Sequence, residues 1–193
     1  MNLALFDFDN TITTRDTFIP FLRLSAGPLR FFLGSVLLGP LFVGYKLGLV
    51  SAARMRVASS FACFVGRSAS TVNEQGRRYA VGFEACLRPE ARERLRFHRE
   101  KGDLIVVVSA SLDAYLRPFC AEHGFDLICT ELETRGDRLT GCVRGGDCSS
   151  DEKAHRVRER YRLETFPAVY AYGDSAEDDA LLALAHHAFL GWS

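Results

Sequence analysis

The chain lacks a net charge. Its 24 Lys and Arg balance 24 Asp and Glu over 193 residues, so no global field favours nucleic acid, and none is expected as a partner. It also lacks an apolar run of the roughly 20 residues that a membrane span needs. The candidate, Phe31 to Tyr45, is an uncharged run of fifteen residues interrupted by Gly34, Gly39, Pro40 and Gly44, so no stable span is expected. Repeats and low-complexity tracts are absent. Among the six cysteines there is no CxxC pair and no ligand spacing, which argues against a zinc or dithiol motif and for reduced, mostly buried thiols. Cys142 and Cys148 flank a glycine turn and are the pair most able to approach, although two ordinary thiols is the favoured reading. The opening MNLALFDFDN lacks the basic-then-apolar pattern of a secretory leader, and the expected location is the cytoplasm.

What the chain does have is a hydrophobic fraction of 48%, enough for one good core and a small appended one. Asn2 to Asp7, Asp103 to Ser109 and Ala168 to Gly173 read as strands, the second being a β-branched run of the kind buried on both faces of a parallel sheet. Between them lie helical patterns over Pro89 to Lys101, over Asp113 to His123 before Gly124, and over Asp151 to Tyr161, where Ser149 and Glu152 suit a capping box. The alternation predicts an α/β fold, a doubly wound parallel sheet of Rossmann-like type. Residues 131 to 143 read as a β-hairpin around Gly136 and Asp137, appended to that core.

Residues 14 to 88 break the alternation, with several helical segments and no strand candidate. They predict an inserted all-helical cap, leaving residues 1 to 13 and 89 to 193 as the core. An insert directly after the first strand emerges at the carboxyl edge of the sheet, where such folds bind ligands, and can act as a lid. It carries ten basic residues against three acidic ones, a balance of +7, which suits an anionic substrate or surface as well as it suits a set of solvated arginines. Phe31 to Tyr45 reads as a buried cap helix broken near Gly39 and Pro40. Peripheral membrane contact through residues 29 to 50, steered by Arg23, Arg30 and Lys46, is the minority reading.

Asp7 and Asp9 stand two apart at the end of the first strand, in LFDFDNTIT. Two carboxylates sharing a site repel unless a cation neutralises them or one pKa rises. A second acidic cluster, Asp174, Glu177, Asp178 and Asp179 behind Gly173, ends another strand of the same sheet. Oxygen donors from Asp7, Asp174 and a main-chain carbonyl would suit a partly hydrated Mg²⁺. Ser109 ends the Asp103 strand at that edge, so its hydroxyl and the amides of Ala110 and the next residue could hold phosphate oxygens. No base is spaced to activate Ser109, which assigns it to binding rather than attack. Lys153 is by default a surface lysine, and functionally a cation facing a carboxylate and a phosphate.

In this order DFDNT, Ser109, Lys153 and GDSAEDD resemble the four motifs of the haloacid dehalogenase superfamily of phosphatases, over all of the chain but residues 14 to 88. VVVSASLDAYLRPFCAEHGFD with ELETRGDRLTGCV is similar to the phosphoserine phosphatase branch (subfamily IB), whose helical cap follows the first motif. The resemblance implies a phosphomonoesterase in which Asp7 is nucleophile and metal ligand. It implies that Asp9 is the general acid and base, lending its carbonyl to the metal, and that Asp174 completes the ligands of Mg²⁺. Ser109 and Lys153 would hold the phosphate, Asp178 would orient Lys153, and Thr11 would steady the loop. True dehalogenases lack an acid at the position of Asp9 and need no metal.

For substrate, Asp16 and the cap arginines Arg54 and Arg56 are the candidates for clamping an amine and a carboxylate. The expected substrate is a small polar phosphate ester, phosphoserine-like or an amino-alcohol phosphate. The alternative is a lipid phosphate of the phosphatidylglycerophosphate type, taken at the membrane surface. A catalytically silent binding module on the same fold is the third reading.

Overall fold

The computed structural model of the chain describes residues 1–192. Its centre is a six-stranded sheet in the order β4-β3-β2-β1-β5-β6, formed by β1 (Leu3–Phe6), β2 (Leu104–Leu112), β3 (Asp126–Arg135), β4 (Arg138–Arg144), β5 (Val169–Gly173) and β6 (His187–Leu190). All pairs are parallel except β3 with β4. Strand β1 is buried at every residue, because both faces of the sheet are covered. Ala4, Phe6 and Val107 contribute to one apolar cluster with Tyr115, Leu116 and Phe119 of α7 (Asp113–His123). Leu3, Leu5, Val106 and Val108 contribute to another, with Val157 of α8 (Asp151–Arg160) and Leu181 of α9 (Asp179–Leu182). The period-two alternation of a strand thus feeds two cores. The chain leaves β1 towards β2 on one side and reaches β5 on the other, so β1 lies at a switch point, the usual ligand crevice of such sheets.

The hairpin forms where expected: Glu131 to Arg135 pair antiparallel with β4, and the same strand β3 begins earlier, at Asp126, with a stretch that pairs parallel with β2 and so carries the hairpin off the sheet. One expectation needs correction. The capping box of Ser149 and Glu152 does not form, because Ser150 takes a left-handed φ of 51° at the start of α8 and the Glu152 carboxylate accepts from Arg156. All six cysteines are free, Cys142 exposed and Cys148 buried.

Residues 14 to 88 contain α1 (Phe18–Ala26), α2 (Pro28–Leu37), α3 (Gly39–Lys46), α4 (Ala52–Phe64) and α5 (Ala69–Ala80), then a short 3₁₀ segment; α6 (Pro89–Glu100) returns the chain to the core. The outgoing and returning chains meet at an antiparallel bridge between Thr13 and Leu87. Helix α5 packs so closely on α7 that a Cβ on Gly76 would lie 2.0 Å from the Ala114 carbonyl oxygen. Backbone cannot yield as a side chain can, so Gly76→Ala is expected to lower unfolding stability by about 1–3 kcal/mol, measured by urea denaturation.

The break at Gly39 and Pro40 is present: α2 and α3 meet at a 60° bend. The expected burial is not. Leu29, Phe32, Leu33, Val36 and Leu37 are exposed, because α2 touches the rest of the insert through its other side, where Gly34 comes up against Ala62 of α4.

Candidate active site

Strands β1 and β5 end side by side, and their carboxylates follow at once: Asp7 after Phe6, Asp174 after Gly173. Beyond Asp7 the chain makes a single wide turn over Phe8–Ile12, closed by the Thr13 amide on the Phe8 carbonyl at 3.0 Å, with Asn10 at a left-handed φ of 58°. Asparagine is one of the few residues that tolerates that conformation. The turn swings Asp9 back beside Asp7 and above Ser109 and Ala110 of β2, around one pocket of about 410 Å³.

Lys153 reaches into this pocket from the first turn of α8 and is itself buried. Its Nζ donates at 2.6 Å to Asp7 Oδ1 and at 2.6 Å to Asp178 Oδ1. The second oxygen of Asp178 accepts the amides of Asp174 and Ser175 at 3.0 and 3.2 Å. Glycine at 173 is required by this fold-back, since a Cβ there would sit 2.5 Å from Asp178 Cβ. Thr11 donates weakly to Asp174 Oδ1 at 3.5 Å, and Ser109 Oγ accepts the Ser111 amide at 3.1 Å.

Asp9 is held on both oxygens. Oδ1 accepts the Thr17 amide at 2.7 Å and its hydroxyl at 2.6 Å, and Oδ2 accepts the Ser111 hydroxyl. Burial pushes the Asp9 carboxyl up to about 6, against those same hydrogen bonds. Burial likewise pushes Asp7 up to about 7, with Lys153 pulling the other way. Asp174 is raised by burial and then by Asp178. Burial works against the charge on Lys153, but the Asp7 and Asp178 carboxylates outweigh it and leave the ammonium firmly protonated. The site therefore holds more carboxylate than cation, the condition in which a further cation is favoured.

Oxygens of Asp7, Asp174 and Asp178 lie within 4.8 Å of one another. Asp178 is a poor ligand because Lys153 and two amides already occupy its oxygens. Asp7 and Asp174 remain as carboxylate donors, an all-oxygen pair whose chemistry fits Mg²⁺.

Asp16 and Arg56 also line the pocket, while Arg54 does not; it lies along a separate groove with Phe61 and Asp151. Asp16 accepts the Ile19 amide at 3.2 Å. Arg56 spans from α4 to Asp147 at 2.9 Å and Glu177 at 3.1 Å. Sequence reading missed Thr17, Arg88, Trp192 and the hold of the Ser111 hydroxyl on Asp9, having offered only the Ser111 amide as a phosphate donor. Arg88 Nε donates to the Asn10 carbonyl at 2.8 Å and the Trp192 indole to the Thr11 carbonyl at 3.0 Å, so both brace the turn over Phe8–Ile12. The Ser111 hydroxyl has a local signal in its place two residues after Ser109, although the pairing of β2 with β3 shifts register between Ser109 and Leu112. The other three carry no local signal.

The family model described as haloacid dehalogenase-like hydrolase matches residues 4–183. Protein CicA of Caulobacter vibrioides is 33% identical over 186 residues, covering 95% of this chain and 82% of its own. A crystal structure of a protein of unknown function from Bordetella pertussis Tohama I superposes with a TM-score of 0.73 at 24% identity, over 95% of this chain and 86% of that one. A phosphoserine phosphatase described as a phospho-aspartyl intermediate analogue gives 0.65 at 19% identity, over 95% and 83%. At these identities the two structures share the fold.

Proposed function

The chain belongs to the haloacid dehalogenase-like hydrolase family, and from that membership we propose that it is a magnesium-dependent phosphomonoester hydrolase working through an aspartyl phosphate on Asp7. The observation that carries the reading is the Asp7 carboxylate, held on one oxygen by Lys153 and, among the described residues, without a protein donor on the other. The likeness in fold to the phospho-aspartyl analogue of phosphoserine phosphatase supports the covalent route.

Asp7 attacks phosphorus and the bond to the ester oxygen breaks, while Asp9 gives its proton to the leaving alkoxide. Water then attacks the aspartyl phosphate, Asp9 takes its proton, and Asp7 is regenerated. Lys153, Ser109 and the amide of Ala110 hold the phosphate oxygens through both steps, which is where phosphoryl transfer needs most help. Mg²⁺ held by Asp7, Asp174 and the Asp9 carbonyl would supply the neutralisation that lets an anionic ester approach an anionic nucleophile. In this reading residues 14 to 88 are the lid, whose outgoing and returning chains pair at Thr13 and Leu87.

Hydrolysis of an aryl phosphate with Mg²⁺, and its loss in chelator, tests the activity. Asp9→Asn is expected to slow turnover by roughly 10² or more, and parent-like rates in that variant would refute the acid/base role. The same carboxylates set a pH dependence. Folded, metal-free protein holds protons on Asp7 and Asp9, with pKa values of about 7 and about 6, that the unfolded chain releases near 3.8. Their contribution to stability therefore declines as pH rises from about 4 to about 7. Mg²⁺ binds the deprotonated form, so the rise in Tm on adding it is expected to be larger at pH 8 than at pH 5.

For substrate, the clamp expected of a small amino phosphate is not laid out. Arg54 lies outside the pocket and Arg56 is committed to Asp147 and Glu177. The wall instead presents Phe18, Ile19, Phe42, Tyr45 and Met55. That lining favours the second reading, an ester with an apolar substituent such as a lipid phosphate, over phosphoserine-like metabolites.

A further inference from the structure

We propose that the bent α2–α3 pair docks on an anionic lipid surface and receives from it a phosphomonoester whose apolar tail lodges in the cavity beneath the bend. The docking part stands on its own observations; the substrate part rests on the phosphomonoesterase reading above.

Along α2 the exposed apolar residues are Leu29, Phe32, Leu33, Val36 and Leu37. This is the i, i+3, i+4, i+7, i+8 spacing of an amphipathic helix, but the stripe faces solvent instead of the core. Val43 continues it on α3. Folded chains seldom leave so large a contiguous apolar patch without a partner. No single helix among the described residues is long and apolar enough to cross a membrane, whereas the bent pair passes that test together. Two helices of 10 and 8 residues meeting at 60° are shaped to lie in an interface with the bend immersed.

Charge selects the occupant. Between Asp16 and Glu74 there is no acidic residue, while six are basic. Arg23, Lys46 and Arg54 among these have no carboxylate partner among the described residues. A second copy would bring this same uncompensated positive charge against itself, whereas anionic headgroups complement it.

Under the bend, Phe31, Leu38 and Cys63 line an apolar cavity of about 300 Å³ that shares Ile19, Phe42 and Met55 with the catalytic pocket. The cavity is within the size range of ligand sites. A phosphate at Lys153 can thus belong to a molecule whose tail continues among these side chains towards the docked face.

The test is co-sedimentation with phosphatidylcholine vesicles containing or lacking phosphatidylglycerol, using the parent and the triple variant Phe32→Gln, Leu37→Gln, Val43→Gln. The parent is expected to bind the anionic vesicles, and the variant to lose about tenfold or more in partitioning while hydrolysing a soluble aryl phosphate at the parent rate. Parent protein that stays in the supernatant, a variant that binds as well as the parent, or a parent dimer that the three substitutions dissociate would each overturn docking. Phosphatidic acid in those vesicles is expected to exceed glycerol phosphate in kcat/KM by about tenfold or more, and the reverse order would overturn the substrate part. Failure to hydrolyse any phosphate ester, aryl phosphate included, would instead remove the hydrolase reading and leave docking to the vesicle result.

Discussion

Asp7→Asn is expected to abolish phosphatase turnover, by a factor on the order of 10⁴ or more as removal of a covalent nucleophile does, while leaving the protein as stable as the parent or more so. Both halves follow from the same geometry. The amide keeps the shape of the carboxylate and its oxygen can still accept from Lys153, but in the proposed mechanism it no longer supplies the electron pair that attacks phosphorus. The metal-free site meanwhile holds Asp7, Asp174 and Asp178 around the single ammonium of Lys153. Removing one negative charge leaves Lys153 and Asp178 as a balanced buried pair. A variant that loses activity because it unfolds would show a lower Tm; here the parent and variant unfolding curves at pH 8 are expected to coincide, or the variant to lie higher. Such an exchange of stability for activity is what a site crowded with like charges imposes.

Lys153→Met is expected to do the opposite, costing activity and stability together. Lys153 is buried between Asp7 and Asp178, and deleting the cation of a buried ion pair typically costs about 3–5 kcal/mol because the remaining charge is left uncompensated. Turnover is expected to fall by roughly 10² or more, since in the proposed mechanism the phosphate loses its fixed positive partner. The sign of the pH dependence is diagnostic. Asp7, already pushed up to about 7 by burial, rises further without the ammonium, so the folded variant binds a proton that the unfolded chain does not. The penalty is therefore largest above pH 7 and shrinks as the medium is acidified towards the ordinary carboxylate range. Urea unfolding of parent and variant at pH 8 and pH 5 measures it. A penalty that is the same at both pH values would mean that the cost is lost packing and not lost charge.

Some of this molecule is legible in the sequence for physical reasons that can be named. The strands β1, β2 and β5 are buried on both faces, so their runs are almost uniformly apolar, and a carboxylate at the end of such a run has nowhere to point but out of the sheet edge. Asp7 and Asp174 are visible on that ground. Strand β3 is harder, because it begins at Asp126 with half-buried residues and leaves the central sheet midway to pair with β4; only the glycine turn that ends it gives a strong local signal. The bend at Gly39 and Pro40 is written in residue types, but whether the helices either side of it are covered depends on what packs against them. Composition cannot distinguish an apolar stripe facing a core from one facing water, and here it faces water.

The same division runs through the site. Spacing of two along the chain marks Asp9, while the group that fixes it, Thr17, owes its place to the chain just before α1 folding back on the turn that follows β1. Arg88 and Trp192 reach that loop from 78 and 181 residues away, and no periodicity links positions so far apart. Arg56 is the instructive case among the residues singled out in advance. It does line the pocket, yet Asp147, an acid with no local mark, and Glu177 of the second acidic cluster already engage its guanidinium.

The most direct test is to quench the reaction with acid during turnover of an aryl phosphate with Mg²⁺ and to map any phosphorylated peptide by mass spectrometry. A hydroxylamine-labile phosphoryl group on Asp7, absent in chelator and absent from Asp7→Asn, is the expected result. Sustained hydrolysis by Asp7→Asn, or a phosphoryl group carried on a different residue, would contradict it.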